Sequence, residues 1–351
     1  MDYRHIKMGM NLLRHTRFDR NLVLYLRNLY AWRKLDKMQT TIEPFPTGLM
    51  LELGNKCNLH CIICPREYQY GKAMDIGFMP LDKAKAIIDE LYPYLTSIGL
   101  TGLGETLLYP HLLEILKYIK AKKPAIQTTI STNANFLGVV EKITPLLPYL
   151  DSVQFSVDGV GKTYEMIRPN TDFSIIEQNI RKVVEMKPKS ELMINTVITK
   201  ENYKELSAVL DFAAQVGITN VNFNRMNLAS IPEKREEYTA FFTGEEYNKQ
   251  VVEKLSAAKE RFKNLTFSGY RVDGKPNFQD CGFVWHHHYI TWDGYLVPCC
   301  AKPFPKELQF GNVFDSGVMA VINSEKAQRF RACWQRNQTP EFCKYCNNTS
   351  I

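Results

Sequence analysis

A chain of 351 residues with 45% hydrophobic content has room for one large domain and a smaller one. Its 44 basic and 37 acidic side chains leave a formal charge of +7, too mild a bias to call for a nucleic-acid partner. No apolar run is long enough to span a bilayer, no signal peptide is expected at MDYRHIKMGMN, and no internal repeat suggests a solenoid.

These features place the chain in the cytoplasm, where cysteines act as ligands more often than as disulfides. Residues 1–46 are distinct. Arg4, Lys7, Arg14, Arg17, Arg20, Arg27, Arg33, Lys34 and Lys37 stand against Asp2, Asp19, Asp36 and Glu43. Leu22, Leu26, Leu29 and Tyr30 recur at helical spacing, with Tyr25 and Trp32 adding bulk. The expectation is a helical extension packed on the main domain with a solvated basic face. The rival is a basic amphipathic helix that makes a peripheral contact with an anionic membrane. Pro44, Pro46 and Gly48 then mark a linker.

From residue 48 strands and helices alternate. GLMLEL (48–53), SIGLTG (97–102), IQTTIS (126–131), SVQFSV (152–157), MINTVI (193–198) and ITNVNF (218–223) read as six strands. Between them lie helices from Pro80 through Leu91 and over 112–119. Two more open at capping boxes, Ser174 with Glu177 and Asn202 with Glu205, and Gly217 stops the last of them. Six strand–helix units predict parallel strands covered by helices, with chemistry in the loops after the strands' carboxyl ends. Residues 225–265 read as a charged helical connector. The stretch CGFVWHHHYITWDGYLVPCC reads as a hairpin turning at Asp293–Gly294.

The first strand runs straight into GNKCNLHCIICPRE. Cys57, Cys61 and Cys64, at C-x3-C-x2-C spacing, can hold three corners of a [4Fe–4S] cubane and leave the fourth iron open. A closed zinc site would need a fourth ligand, and His60 in the same loop is the nearest candidate. A zinc-stabilised scaffold is therefore the non-enzymatic alternative.

With these positions in hand, residues 48–225 resemble the radical S-adenosylmethionine superfamily. The resemblance implies that Cys57, Cys61 and Cys64 bind the cluster, that Ile63 packs near the adenine, and that Gly102, Gly104 and Glu105 receive the methionine amino group. Leu103 and Thr106 depart from the commonest form of that motif. It places Asn133 after the third strand, and Ser156 and Asp158 at the end of the fourth, where ribose contacts lie. It further implies that Arg168 pairs with the cofactor carboxylate and that Val197 and Ile198 sit against adenine.

The tail resembles the SPASM/twitch extension. Cys281, Cys299, Cys343 and Cys346 would hold one auxiliary [4Fe–4S] cluster, a single one being expected because the chain stops at Ile351. Cys300 would point away from its neighbour and is a catalytic candidate; Cys333 reads as packing, and His286–His288 as cavity lining rather than a metal site.

The implied fold is α/β: a partial (β/α)6 TIM-like barrel with an N-terminal helical extension and a small C-terminal α+β auxiliary-cluster domain. Its segments are 1–46, 47–225, 226–268 and 269–351. The implied chemistry is reductive cleavage of S-adenosylmethionine to a 5′-deoxyadenosyl radical that abstracts a substrate hydrogen atom, fed by a flavodoxin- or ferredoxin-like electron donor. The cofactors would be S-adenosylmethionine and two [4Fe–4S] clusters. The substrate reading is net oxidation or rearrangement of a small polar metabolite, sugar- or cyclitol-like, because 46 residues are too few for a leader-binding module. The alternatives are cross-linking or epimerisation of a ribosomal peptide, or modification of a lipid-linked substrate.

Overall fold

The computed structural model describes residues 20–35, 39–270 and 281–346. The basic positions Arg4, Lys7, Arg14, Arg17 and Lys37 of the amino-terminal extension lie outside the described residues. The chain folds as two compact units, and each draws on separate stretches of sequence. One takes Met1–Lys56, Asp75–Thr129 and Gln279–Glu341, the other Cys57–Met74, Ile130–Phe278 and Phe342–Ile351.

The first unit opens with α1 (Arg20–Lys34) and continues through β1 (Gly48–Leu51), α2 (Leu81–Leu91), β2 (Ser97–Gly99), α3 (Leu112–Lys122) and the start of β3 (Gln127–Thr132). β1 is buried on both sides, as its run of leucines and methionine predicts, because parallel neighbours and helices cover it. Leu49 pairs with Ile98 of β2. On its other edge β1 takes a second parallel partner from the tail. The apolar faces of α2 (Ala84, Ile87, Ile88, Leu91) and α3 (Leu112, Ile115, Leu116, Ile119) are buried. Each such leucine or isoleucine contributes roughly 1.5–3 kcal/mol on removal from water.

α1 packs through Tyr25, Asn28, Leu29 and Trp32, and not through the whole Leu22–Leu26–Leu29–Tyr30 stripe. Tyr25 is buried beneath the Lys123 ammonium, 4.8 Å from its ring centre. Asn28 exchanges hydrogen bonds of 2.9 and 2.8 Å with the backbone of Phe45, whose carbonyl also accepts from Trp32 Nε1 at 2.8 Å. Val23, Leu26 and Tyr30 face outward.

The second unit carries β4 (Ser152–Ser156), α4 (Phe173–Glu185), β5 (Glu191–Ile198), α5 (Leu206–Val216), β6 (Asn220–Arg225), α6 (Arg235–Thr243), α7 (Lys254–Arg261) and β7 (Thr266–Ser268). β4, β5, β6 and β7 are parallel in that order, with Phe155 against Ile194, Ile194 against Val221 and Val221 against Phe267. β7 is a seventh strand that three residues of mixed polarity did not signal. Gly217 ends α5 at φ +84°, the left-handed conformation that favours glycine.

Neither predicted capping box forms. Asp172 caps α4, accepting from the Ser174 N–H at 2.8 Å, while Glu177 pairs with Arg181 one turn on. Asn202 is turned inward to bind backbone, and α5 begins at Leu206 without a side-chain cap.

The tail returns to the first unit as β8 (His287–Ile290), β9 (Tyr295–Val297), β10 (Gly311–Asn312) and α8 (Glu325–Gln335). β8 is the second partner of β1, and β8–β9 is the predicted hairpin, with Gly294 at φ +90° in its turn. The three histidines are structural. His286 packs on Trp32, His287 fills the space beside Gly48, and fully buried His288 makes a 3.0 Å bond to the Trp285 carbonyl. The alternation of β1 to β6 with covering helices is the (β/α)6 repeat of a partial TIM-like barrel, joined to an α+β tail.

Candidate cluster and cofactor site

The cysteine loop is held from both ends of its own unit. The Cys64 N–H donates to the Cys61 carbonyl at 3.0 Å, and the Glu67 N–H to that of Cys64 at 3.0 Å, which curls the loop tightly. The Ile62 N–H donates to the Ile167 carbonyl at 3.0 Å. Asn133 Nδ2 donates to Asn58 Oδ1 at 2.9 Å and lies 3.8 Å from Cys57 Sγ, while Asn58 Nδ2 donates to the Asn135 carbonyl at 3.2 Å. Asn133 thus braces the loop.

Cys61 is buried, and Cys57 and Cys64 are half-buried. Burial pushes the Cys64 thiol up to about 12, and burial also raises Cys61, with the Arg168 charge opposing and Asp158 adding. A bare thiolate is costly here, so an electrophilic metal that replaces the proton suits these donors. Among the described residues no three His, Cys, Asp or Glu side chains close on a point for one metal ion. A cubane instead takes its thiolates at separated corners, so three thiols on one short loop suit a cluster.

Beside the loop Asp158 and Arg168 form a buried ion pair. Arg168 Nε and Nη2 both donate to Asp158 Oδ2, at 3.0 and 2.6 Å. Burial disfavours the Arg168 charge, but Asp158, Cys61 and Tyr164 beside it together outweigh that and hold the guanidinium protonated. Asp158 Oδ1 accepts the Val197 N–H at 2.7 Å. Asn202 Nδ2 bonds the carbonyls of Asp158 and Val197, both at 2.7 Å. The ends of β4 and β5 are therefore locked together, and Asn202, missed from sequence as a cap signal, is one of the locks. Val197 and Ile198 point to opposite faces. Ile198 is fully buried, while Val197 and Ile63 are half-buried.

On the Val197 face the strands carry amides and hydroxyls. Ser131 Oγ donates to Gln154 Oε1 at 3.1 Å. Asn195 Oδ1 accepts from Asn222 Nδ2 at 3.0 Å and from Asn224 Nδ2 at 2.8 Å. Ser156 stands two residues on from Gln154 on the same half-buried face. No formal charge interrupts Gln154, Ser156, Asn195, Asn222 and Asn224.

In the other unit the Gly102–Glu105 turn is pressed on the end of β1. A Cβ on Gly104 would lie 2.5 Å from the Gly54 carbonyl oxygen and 2.6 Å from that of Lys56. The Glu105 N–H donates to the Lys56 carbonyl at 2.8 Å, and its buried carboxylate accepts from the Leu107 N–H at 3.0 Å. A Cβ on Gly102 would meet Glu52, 2.2 Å from Cγ. Glu52 is fully buried. Oε1 accepts from the Leu103 N–H at 2.8 Å and the Tyr289 hydroxyl at 3.0 Å, and Oε2 from the Trp292 N–H at 3.3 Å. Burial raises its pKa, and the three donors oppose that. One acid in an otherwise apolar strand was the available signal.

Cys281 and Cys299 belong to this unit, Cys343 and Cys346 to the other, and all four are half-buried. Cys300 is half-buried as well. Cys333 sits half-buried on α8. Among the described residues no helix is long and apolar enough to cross a membrane.

Residues 51–213 match the family described as the radical SAM superfamily, and residues 281–347 match the iron–sulfur cluster-binding domain SPASM. A Pyrococcus furiosus protein named as a tungsten-containing aldehyde ferredoxin oxidoreductase cofactor-modifying protein is 24% identical over 81% of this chain and 82% of its own length. An uncharacterised protein of Methanocaldococcus jannaschii is 30% identical over 62% of this chain and 74% of its own. The Bacillus subtilis antilisterial bacteriocin subtilosin biosynthesis protein AlbA is 25% identical over 86% of this chain and 64% of its own. Among solved structures, Streptococcus suis SuiB bound to its precursor peptide SuiA superposes with a TM-score of 0.66 at 17% identity. That likeness covers 92% of this chain and 73% of SuiB, and it speaks to the fold.

Proposed function

Because this chain belongs to the radical S-adenosylmethionine superfamily and carries a SPASM iron–sulfur domain in its tail, we propose that it is a peptide-modifying enzyme. Its cofactors are S-adenosylmethionine and [4Fe–4S] clusters. When bound, they supply a one-electron cleavage that ends in hydrogen abstraction. Cys57, Cys61 and Cys64 are the ligands we assign to the cofactor-binding cluster, and Cys281, Cys299, Cys343 and Cys346 to one auxiliary cluster. For S-adenosylmethionine we assign Gly102, Gly104 and Glu105 to the amino group, Ser156 and Asp158 to the ribose side, and Ile63 and Val197 to the adenine. Asn133 and Arg168 brace the loop and strand ends that present these groups.

The observation that carries the peptide reading is the run of relatives named for bacteriocin and killing-factor maturation, which span 86% and 80% of this chain. A bacteriocin is a peptide, and the uncharged face of Gln154, Asn195, Asn222 and Asn224 supports the same reading. Side-chain amides offer a donor and an acceptor together, as backbone does. The relatives favour this over the small polar metabolite expected from sequence. A substrate that has lost a hydrogen atom needs an acceptor for its remaining electron. The four-cysteine site of the tail suits that role, with a proton lost to solvent, which makes the net reaction an oxidation. A small reduced iron–sulfur or flavin protein is the electron source this requires.

The test uses the anaerobically reconstituted enzyme, dithionite and S-adenosylmethionine. A pool of perdeuterated peptides translated from short reading frames flanking the gene is compared with a perdeuterated metabolite extract. Deuterium in 5′-deoxyadenosine from the peptide pool supports the reading, and deuterium from the extract alone overturns it.

A further inference from the structure

Glu52 stands apart from every group assigned above, yet it is the most completely enclosed carboxylate of its unit and has three donors from two directions. Leu103, between the two glycines of the assigned amino-group turn, gives its N–H. Tyr289 on β8 and Trp292 in the β8–β9 turn give a hydroxyl and an N–H. That hairpin runs on through β9 to Cys299. Gly102 has no side chain where the Glu52 Cγ and Oε1 lie, at 2.2 and 2.5 Å from where its Cβ would be. The turn and the acid are thus steric complements as well as hydrogen-bond partners.

We propose that Glu52 is a positioning residue that fixes the Gly102–Glu105 turn against the cysteine-bearing hairpin, so that one carboxylate sets both the S-adenosylmethionine contact and the strand leading to Cys299. The inference rests on the assignment of that turn to S-adenosylmethionine. Its physical core is valence. Two acceptor oxygens satisfy three donors, and a buried donor left without an acceptor costs far more than a bond exchanged with water. Gln at this position keeps the volume but has one acceptor oxygen, so its NH2 must face the N–H of either Trp292 or Leu103.

The experiment measures equilibrium binding of radiolabelled S-adenosylmethionine to the reconstituted holoenzyme, and the change that S-adenosylmethionine causes in the electron paramagnetic resonance of the reduced cluster. Glu52→Gln, Tyr289→Phe and Glu105→Ala are compared at equal iron content and equal melting temperature. The expected result is about tenfold weaker binding for Glu52→Gln and a smaller loss for Tyr289→Phe, with the spectral change recovered at higher S-adenosylmethionine. Wild-type binding in both, beside weaker binding in Glu105→Ala, overturns the positioning role and leaves the turn's assignment standing. Wild-type binding in Glu105→Ala as well overturns the assignment and the inference together. If Glu52→Gln does not fold, Tyr289→Phe, which removes one donor and orphans nothing, decides.

Discussion

Asp158 holds Arg168 through a single oxygen, Oδ2, and spends its other oxygen on the Val197 N–H. One carboxylate therefore ties the ends of β4 and β5 to the segment that braces the cysteine loop. The side chains are 1% and 8% exposed, so water screens little of the pair. Asp158→Asn leaves a buried cation uncompensated and should cost about 3–5 kcal/mol of stability. Chemical denaturation of the purified variants measures it. The double variant Asp158→Asn/Arg168→Met should lose less than the sum of the single losses, because it removes both charges.

His288 gives the unit containing the tail a pH dependence. Burial holds its pKa down to about 3, with the Arg331, His287 and His286 charges adding, against 6.5 in the unfolded chain. Between these values the unfolded chain binds the extra proton. The stability His288 contributes is therefore complete above about pH 6.5 and falls as pH drops, by up to about 1.4 kcal/mol per unit until the folded pKa is reached. Glu52, raised by burial, acts in the opposite direction and adds stability at low pH. Subtracting unfolding curves of His288→Gln from wild type at pH 7 and pH 5 isolates the histidine. A difference that does not change with pH would sink the assignment.

The two glycines of the turn should not tolerate alanine equally. At Gly104 the obstacle is backbone, the carbonyls of Gly54 and Lys56, which cannot step aside without moving β1. At Gly102 it is the Glu52 side chain. Overpacking of this kind costs about 1–3 kcal/mol, and Gly104→Ala should fall at or above the upper end. Melting temperatures of the two variants rank them, and equal losses would show that the strand end yields.

Asn195 organises the uncharged face, since its one oxygen holds both Asn222 and Asn224. Asn195→Leu keeps the size and removes the acceptor. Peptide KM should rise about tenfold, while S-adenosylmethionine cleavage without peptide stays near wild type. Steady-state assays of 5′-deoxyadenosine with and without peptide separate the two.

Much of this architecture was legible in the residues. Period-two runs such as SVQFSV and a helical face such as Ile176, Ile180 and Val183 signal elements because burial alone sets those spacings. The cysteine spacing and Asp293–Gly294 were equally readable, since ligation and tight turns demand particular residues. What failed to show depended on distant partners. Asn202 has the local signature of a cap, but the carbonyls of Asp158 and Val197 claim it. Glu52 meets Tyr289 only after 237 residues, so its neighbours in sequence could not announce it. Val197 and Ile198 form one apolar pair in sequence, and the pleat sends them to opposite faces.

In the proposed enzyme the Cys57–Cys64 loop holds a catalytic iron–sulfur cluster and the tail holds another. Anaerobic reconstitution with iron and sulfide, followed by metal analysis and a 5′-deoxyadenosine assay, tests it most directly. About eight irons per chain with S-adenosylmethionine cleavage are expected, and about four irons with no cleavage once Cys57, Cys61 and Cys64 are all alanine. Stoichiometric zinc that iron does not displace, with no cleavage under reducing conditions, would contradict it.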